Sequence, residues 1–347
     1  MSTADPNPTP TTPTPGPTPA DAATPPPSPR NPQGLRLPAA DPAESSAVAG
    51  PRREVEVGHA PSSSVVLARG VVAAARARGT TTAPRLPDVD LVLRGIHPDP
   101  ERLTAYQQEV GEAVTDVLPS GFLHVLAFPL GTAMMARADF PLPALGMVHV
   151  ANRAEVLRAV RLGEELTGRL HAERLAPHRR GVTVDLVAEL AVGDDVVWRG
   201  VSTYLAKGVR LPDADAPPVP DRAPFSPPTP TGQWRLGRDV GRRYAAVSGD
   251  HNPIHTNPVA AKVFGFPRPI AHGMYTAARA LADVGVARGD AYVWEVEFAS
   301  PVLLPSTVSV RVAADDAGPA AGAGGFRFTG WSRSGKVHLT GAVRPLP

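Results

Sequence analysis

The chain contains no cysteine among its 347 residues. That excludes a disulfide framework, a thiolate metal site and a cysteine nucleophile. It also lacks any run of eighteen apolar residues, so no membrane-spanning helix is expected. The N-terminus has no charged segment followed by an apolar one, and so does not read as a secretory leader. These absences lead to the expectation of a soluble, cytoplasmic protein with no membrane contact. An excess of one charge is missing too: 35 basic and 33 acidic residues leave +2. The scattered Arg52, Arg53, Arg69, Arg76, Arg78, Arg85 and Arg94 have no interleaved aromatics. They read as solvated surface, and no nucleic-acid partner is expected.

What the chain has in excess is proline, 42 in all. Fourteen lie in the first fifty residues, which hold one short aliphatic patch, Leu35 to Leu37, and no aromatic residue. Such a stretch cannot bury enough apolar surface to offset its ordering entropy, so residues 1–55 are expected to be a disordered tail. Eight more prolines fall between Leu211 and Pro230, marking a linker over 211–230. The two segments it separates, 56–210 and 231–347, are each of ordinary domain size.

The segments echo one another. Tyr106 stands four residues before Val110-Gly111, and Tyr244 four before Ser248-Gly249, an offset of 138. Phe128-Pro129 and Phe266-Pro267 keep that offset, Met135 and Met274 differ by 139, and Val160 and Val302 by 142. The order and slow drift suggest two copies of one fold. In the second copy the spacing of Met274, Ala277, Ala278, Leu281 and Ala282 reads as a helix over Ile270–Val286. Strands are expected at Tyr292–Phe298, Thr307–Val312, Gly325–Ser332 and Lys336–Val343, with the Gly-rich stretch Ala317–Gly325 as a hairpin loop. In the first copy, Glu165–Leu175, Val182–Ala191 and Val196–Leu205 read as strands. A helix followed by successive antiparallel strands, twice over, argues for the α+β class.

The richest polar cluster is Ser248-Gly249-Asp250-His251-Asn252-Pro253-Ile254-His255. Asp250 and His255 are five apart, so they can meet only if the chain turns between them. Asn252-Pro253 supplies that turn, because Asn caps helices and Pro favours the first helical position. Asn257-Pro258 repeats the signal and opens a short helix over Val259–Phe264. A carboxylate beside an imidazole is a proton-transfer pair. Free N–H groups near Gly273, where the long helix starts, can stabilise a developing oxyanion. His251, His255 and His272 lack the helical spacing of metal ligands, and Ser248 lacks the surroundings of a hydrolase nucleophile. At offset 138 the first copy has Glu112, Val114 and Val117 in place of Asp250, Asn252 and His255. It therefore lacks the polar trio, which favours a chemical role in the second copy alone.

The string from Tyr244 through Asp250, Asn252 and His255, then Phe264-Gly265-Phe266 and Ile270 to Met274, resembles the MaoC-like (R)-specific enoyl-CoA hydratase family, hydratase 2. The first segment, with Leu118-Pro119 and His124 to Pro129, looks like the degenerate half of double hot-dog members. The resemblance implies an α+β double hot-dog, two antiparallel sheets each wrapping a central helix. It implies reversible hydration of a trans-2-enoyl thioester to the (R)-3-hydroxyacyl thioester, within fatty-acid metabolism. By position, Asp250 and His255 would handle the water and the α-carbon proton, and Asn252 would position the water or the pair. Gly273, through its N–H, would polarise the thioester carbonyl, with His272 and Ser248 beside the substrate. No metal or redox cofactor is implied. Coenzyme A or acyl carrier protein belongs to the substrate, and either a monomer or a homodimer fits. A non-catalytic acyl-thioester-binding scaffold and a hot-dog thioesterase are the competing expectations.

Overall fold

The computed structural model describes residues 1, 52–58, 85–144, 146–212, 218, 224–315 and 324–346. Residues 2–51 of the proline-rich tail lie outside them, as do 213–217 and 219–223 of the linker and most of the Gly-rich stretch, 316–323. In chain order the elements are β1 (Arg53–Glu56), β2 (Val89–Ile96), α1 (Pro100–Val110), α2 (Ser120–Met135), β3 (Val148–Val156), β4 (Leu166–His178), β5 (Gly181–Val192) and β6 (Asp195–Lys207). Then follow β7 (Gly232–Leu236), α3 (Val240–Ser248), α4 (Pro253–Thr256), α5 (Pro258–Val263), α6 (Gly273–Val284), a 3-10 turn (Gly285–Arg288), β8 (Tyr292–Phe298), β9 (Ser306–Asp315), β10 (Gly325–Ser332) and β11 (Val337–Pro345).

The strands form one sheet in the order β1-β2-β4-β5-β6-β3-β8-β11-β10-β9-β7. Apart from β1, the order is a palindrome: β2-β4-β5-β6-β3 mirrors β7-β9-β10-β11-β8. The two antiparallel sheets are thus joined edge to edge through the antiparallel pair β3–β8, with Ala151 opposite Glu297 and Val156 opposite Tyr292. Joining them removes two exposed edges that would otherwise invite pairing with another chain. Each half wraps a central helix, α2 on β4 and β5, α6 against β9 and β11. β1 begins inside the segment expected as tail. Its Arg-Glu-Val-Glu run pairs in parallel with β2, Arg53 opposite Val89, because β2 offers an open edge there.

The correspondence between halves is real but differs from the sequence offsets. α1 and α3 are equivalent, and each ends on a left-handed glycine, Gly111 and Gly249, both at φ 78. Matching bridges tie Val117 to Arg161 and Ile270 to Leu303. The Leu118 N–H donates to the Val160 carbonyl as the Ala271 N–H does to Val302, both at 2.8 Å. These contacts make Pro119-Ser120 the counterpart of His272-Gly273. The Phe-Pro and Met matches therefore fail. Phe128-Pro129 lies inside α2, whereas Phe266-Pro267 lies in the loop after α5, and Met135 ends a helix while Met274 begins one. Between the glycine cap and the central helix the first half has residues 112–119 and the second has 250–272. The polar trio is missing from the first half because the segment that carries it is missing.

The core fills the space between sheet and helices, and Trp198, Trp294, Tyr106, Tyr244, Tyr275, Phe122 and Phe328 are its largest fully buried side chains. Tyr106 packs on Phe122 at 5.3 Å and on Tyr244 at 6.1 Å, locking α1 of one half to α3 of the other. Polar contacts reinforce that seam. Arg102 Nε donates to the Val247 carbonyl at 2.8 Å, and half-buried Arg288 meets half-buried Glu112 at 3.1 Å. Glu112, aligned with Asp250 by offset, thus serves the junction between halves. Among the described residues no helix is long and apolar enough to cross a membrane.

Candidate active site

The inserted segment 250–272 builds the site one short-range contact at a time. The αL turn at Gly249 frees the chain from α3, and the Asp250 N–H donates to Ser248 Oγ at 3.2 Å. The Asn252 N–H then donates to Asp250 Oδ1 at 3.1 Å, fixing the carboxylate. Asn252 Oδ1 accepts from the Ile254 N–H at 3.3 Å, and Pro253 follows at the first helical position, so α4 starts there. Asn257 caps α5 in the same way, through the Val259 and Ala260 N–H groups.

α4 presents His255, which is 8% exposed. Its Nδ1–H donates to the Ile270 carbonyl at 2.8 Å, leaving Nε2 as the free base nitrogen. The backbone beneath it rests on α3 at Gly241, where an added Cβ would stand 2.0 Å from the His255 carbonyl oxygen. His272, the N-cap residue of α6, turns back toward the same place. Its Nε2–H donates to the Asp250 carbonyl at 3.0 Å and lies 3.8 Å from Oδ2. The rings of His255 and His272 stack at 3.7 Å between centroids, tilted by 26°. Asp250, His255 and His272 each place one nitrogen or oxygen within 4.8 Å of the other two. Folding brings together what helical spacing does not. Within the cluster His255 keeps Nε2 free, whereas His272 Nε2 already donates to the Asp250 carbonyl.

Burial sets the charges. Desolvation lowers the pKa of His255 below the ordinary imidazole value, outweighing the attraction of Asp250. His272 is pushed down to about 3 by the same cause. Burial alone would raise the Asp250 carboxyl. The protonated forms of His272 and His255, present at the acid pH where the carboxyl titrates, and the Asn252 N–H outweigh it and hold the carboxyl below its usual value. At neutral pH the set is therefore a carboxylate beside neutral imidazoles, a base-ready arrangement.

All of this opens onto one cavity of about 240 Å³. The second half contributes Ser248, Asp250, Asn252, His255, His272, Gly273 and Phe298, so the residues singled out from sequence share one wall system. Gly273 is the first residue of α6, whose opening N–H groups have no intrahelical acceptor and carry the positive end of the helix dipole. The Phe298 ring packs 3.1 Å from the position a Cβ would take on Gly273, so only glycine leaves that N–H open to the cavity without displacing the ring. Gly241 and Phe298 carry no sequence signal for these roles. The first half contributes His124, Phe128, Met135, Met147, His149 and Tyr204, and exposed Arg180 and Lys207 also line the cavity. His149 and Tyr204 come together only through the β3–β6 register, which periodicity does not disclose.

Comparison with known proteins places the chain in a family. The family described as MaoC like domain matches residues 222–321. The 3-hydroxyacyl-thioester dehydratase X of Mycobacterium tuberculosis is 39% identical over 263 residues, spanning 76% of this chain and 91% of the relative. A shorter match, 48% identical over 46 residues, covers 13% of this chain and 15% of the peroxisomal enoyl-CoA hydratase 2 of Arabidopsis thaliana. Among solved structures, HtdX of Mycobacterium tuberculosis aligns with a TM-score of 0.65 at 37% identity, over 74% of this chain and 100% of the other. A MaoC-like dehydratase from Phytophthora capsici, 20% identical, shares the fold with a TM-score of 0.58 over 76% of this chain and 96% of its own.

Proposed function

The chain belongs to the MaoC-like dehydratase family, and from that premise we propose that it interconverts trans-2-enoyl and (R)-3-hydroxyacyl thioesters by adding or removing water. The observation that carries the reading is the convergence of Asp250, His255 and the free N–H of Gly273 on one cavity. In the hydration direction, a water held between the Asp250 carboxylate and His255 Nε2 loses a proton to this pair as its oxygen bonds to the β-carbon. The double-bond electrons move toward the thioester oxygen, where the Gly273 N–H and the α6 dipole stabilise the developing charge. The pair then returns the proton to the α-carbon, so that H and OH are added and nothing else is consumed. Dehydration is the reverse.

In this scheme Asn252 and Ser248 act on the geometry of Asp250, through the 3.1 Å and 3.2 Å contacts that fix its carboxylate and its N–H. His272 buttresses both partners, by its hydrogen bond to Asp250 and its stack on His255. The first half supplies the far wall of the cavity. The substrate's carrier is coenzyme A or an acyl carrier protein, whose phosphate would meet the exposed Arg180 and Lys207. Incubation with crotonyl-CoA tests the proposal. Loss of conjugated-enoyl absorbance with (R)-3-hydroxybutyryl-CoA as product supports it. Release of free thiol instead would identify a thioesterase, and binding of acyl-CoA without turnover at any chain length would identify a scaffold.

A further inference from the structure

The proposed chemistry uses the second half and leaves unexplained a polar cluster that the first half places in the same cavity. His149 on β3 lines the cavity, and its Nε2 is buried with no hydrogen-bond partner among the described residues. Its ring stacks on Tyr204 at 4.6 Å and 16°, and lies parallel to His124 at 6.0 Å. It also meets the Phe298 ring at 5.3 Å, tilted by 58°, and Phe298 is the ring that packs against Gly273. His149 therefore stands one aromatic ring away from the place where the thioester carbonyl would be held. His124, Phe128 and Tyr204 also border a second, smaller hole between α2 and the sheet, walled by Leu170, Leu186 and Trp198. His124, Phe128 and Tyr204 are thus shared by the two spaces, and His149, which lines the larger one, packs on two of them.

The ring chemistry fixes what His149 can recognise. The Ala151 backbone favours the protonated form, as a carbonyl near a ring N–H does, and Nε2, which has no partner, is the nitrogen left open to a ligand. Burial pushes the imidazole down to about 3, so at neutral pH the ring is uncharged and Nε2 carries a lone pair. A buried acceptor without a partner is costly. A purely hydrocarbon chain passing it would leave that cost in place, whereas a chain carrying an O–H would remove it.

Resting on the hydratase reading for the position of the thioester, we propose that His149 Nε2 accepts a hydrogen bond from a hydroxyl on the substrate's acyl chain, making His149 a specificity-determining residue supplied by the first half. Sites built to pair a substrate hydroxyl discriminate against the analogue lacking it more strongly than apolar pockets discriminate by size.

The test is calorimetric binding of unreactive saturated thioesters to the full chain. Octanoyl-CoA is compared with octanoyl-CoA bearing one hydroxyl at carbon 5, 6, 7 or 8. At least one hydroxylated member is expected to bind wild type about tenfold more tightly than octanoyl-CoA, as one added neutral hydrogen bond allows. His149→Leu should abolish that preference while leaving octanoyl-CoA binding unchanged or tighter. His149→Gln, which keeps an acceptor, should retain part of it. Wild-type binding of every hydroxylated member no tighter than octanoyl-CoA would overturn the proposal. So would an equal loss for all ligands in His149→Leu, which would place His149 on the carrier arm or in the structure alone. Crotonyl-CoA turnover, measured separately, tells failure of this inference from failure of the hydratase reading.

Discussion

Replacing Gly273 by proline removes one N–H from the cavity and sets a ring carbon in its place. Gly273 is the first residue of α6, and its N–H has no acceptor within the helix. Proline is favoured at that position. It asks the preceding residue to be extended, and His272 already sits at φ −61 and ψ 138. The remaining perturbation is steric, since a Cβ would meet the Phe298 ring at 3.1 Å, so the ring must shift by a few tenths of an ångström. Gly273→Ala brings the same Cβ contact but keeps the N–H, so the difference between the two variants reports the donor together with the space that the proline Cδ takes at its nitrogen. Loss of one oxyanion-hole donor costs about 10²–10³ in kcat, roughly 2.7–4 kcal/mol. The assay is crotonyl-CoA hydration by both variants, with thermal melting as the control for folding. A Pro variant that folds and stays within about threefold of the Ala variant would refute the role given to the Gly273 N–H.

Three further outcomes are expected. Gly241→Ala puts a methyl 2.0 Å from the His255 carbonyl oxygen, so His255 must move by about 1 Å; kcat should fall about 10²-fold. Because His255 titrates below 6.5, kcat/KM should be flat through neutral pH and fall with single-proton slope only below that value. An acid limb starting above pH 6.5 would count against His255 as the neutral base. Arg288→Met strands the buried Glu112 carboxylate and should cost about 3 kcal/mol in urea unfolding at pH 8. Glu112 has a folded pKa already raised above 4.5 by burial, so the ionised form is the disfavoured one. The loss should therefore shrink as pH falls toward 4.5.

Much of the site is legible because its determinants are local. Asn252-Pro253 and Asn257-Pro258 dictate caps within three residues of themselves, and the caps place Asp250 and His255 on one turn. The α6 helix shows in the spacing of its apolar residues, since one face is buried against the sheet. The central helix of the first half does not show. Phe122, Leu123, Val125, Leu126, Ala127 and Leu130 are all buried, so α2 is apolar all round and carries no 3.6-residue stripe. Pro129 inside it further disguises it as a turn. Equal spacing of Phe-Pro pairs then suggests an equivalence that folding rejects, because an inserted segment shifts the second half's central helix relative to the first. The Gly241 contact and the stack of His149 on Tyr204 depend on packing between elements distant in sequence. No pattern within either element encodes such partners.

The most direct measurement is the hydration rate of crotonyl-CoA by Asp250→Asn and His255→Gln beside wild type, each verified as folded by thermal melting. Asp250→Asn keeps the shape of the side chain, His255→Gln keeps a polar group of similar reach without the ring, and both remove the capacity to exchange a proton. Each should lower kcat by at least ~10²-fold, since the pair is held to be the only acid–base machinery acting on the water and the α-carbon. Wild-type turnover in either folded variant would contradict that assignment.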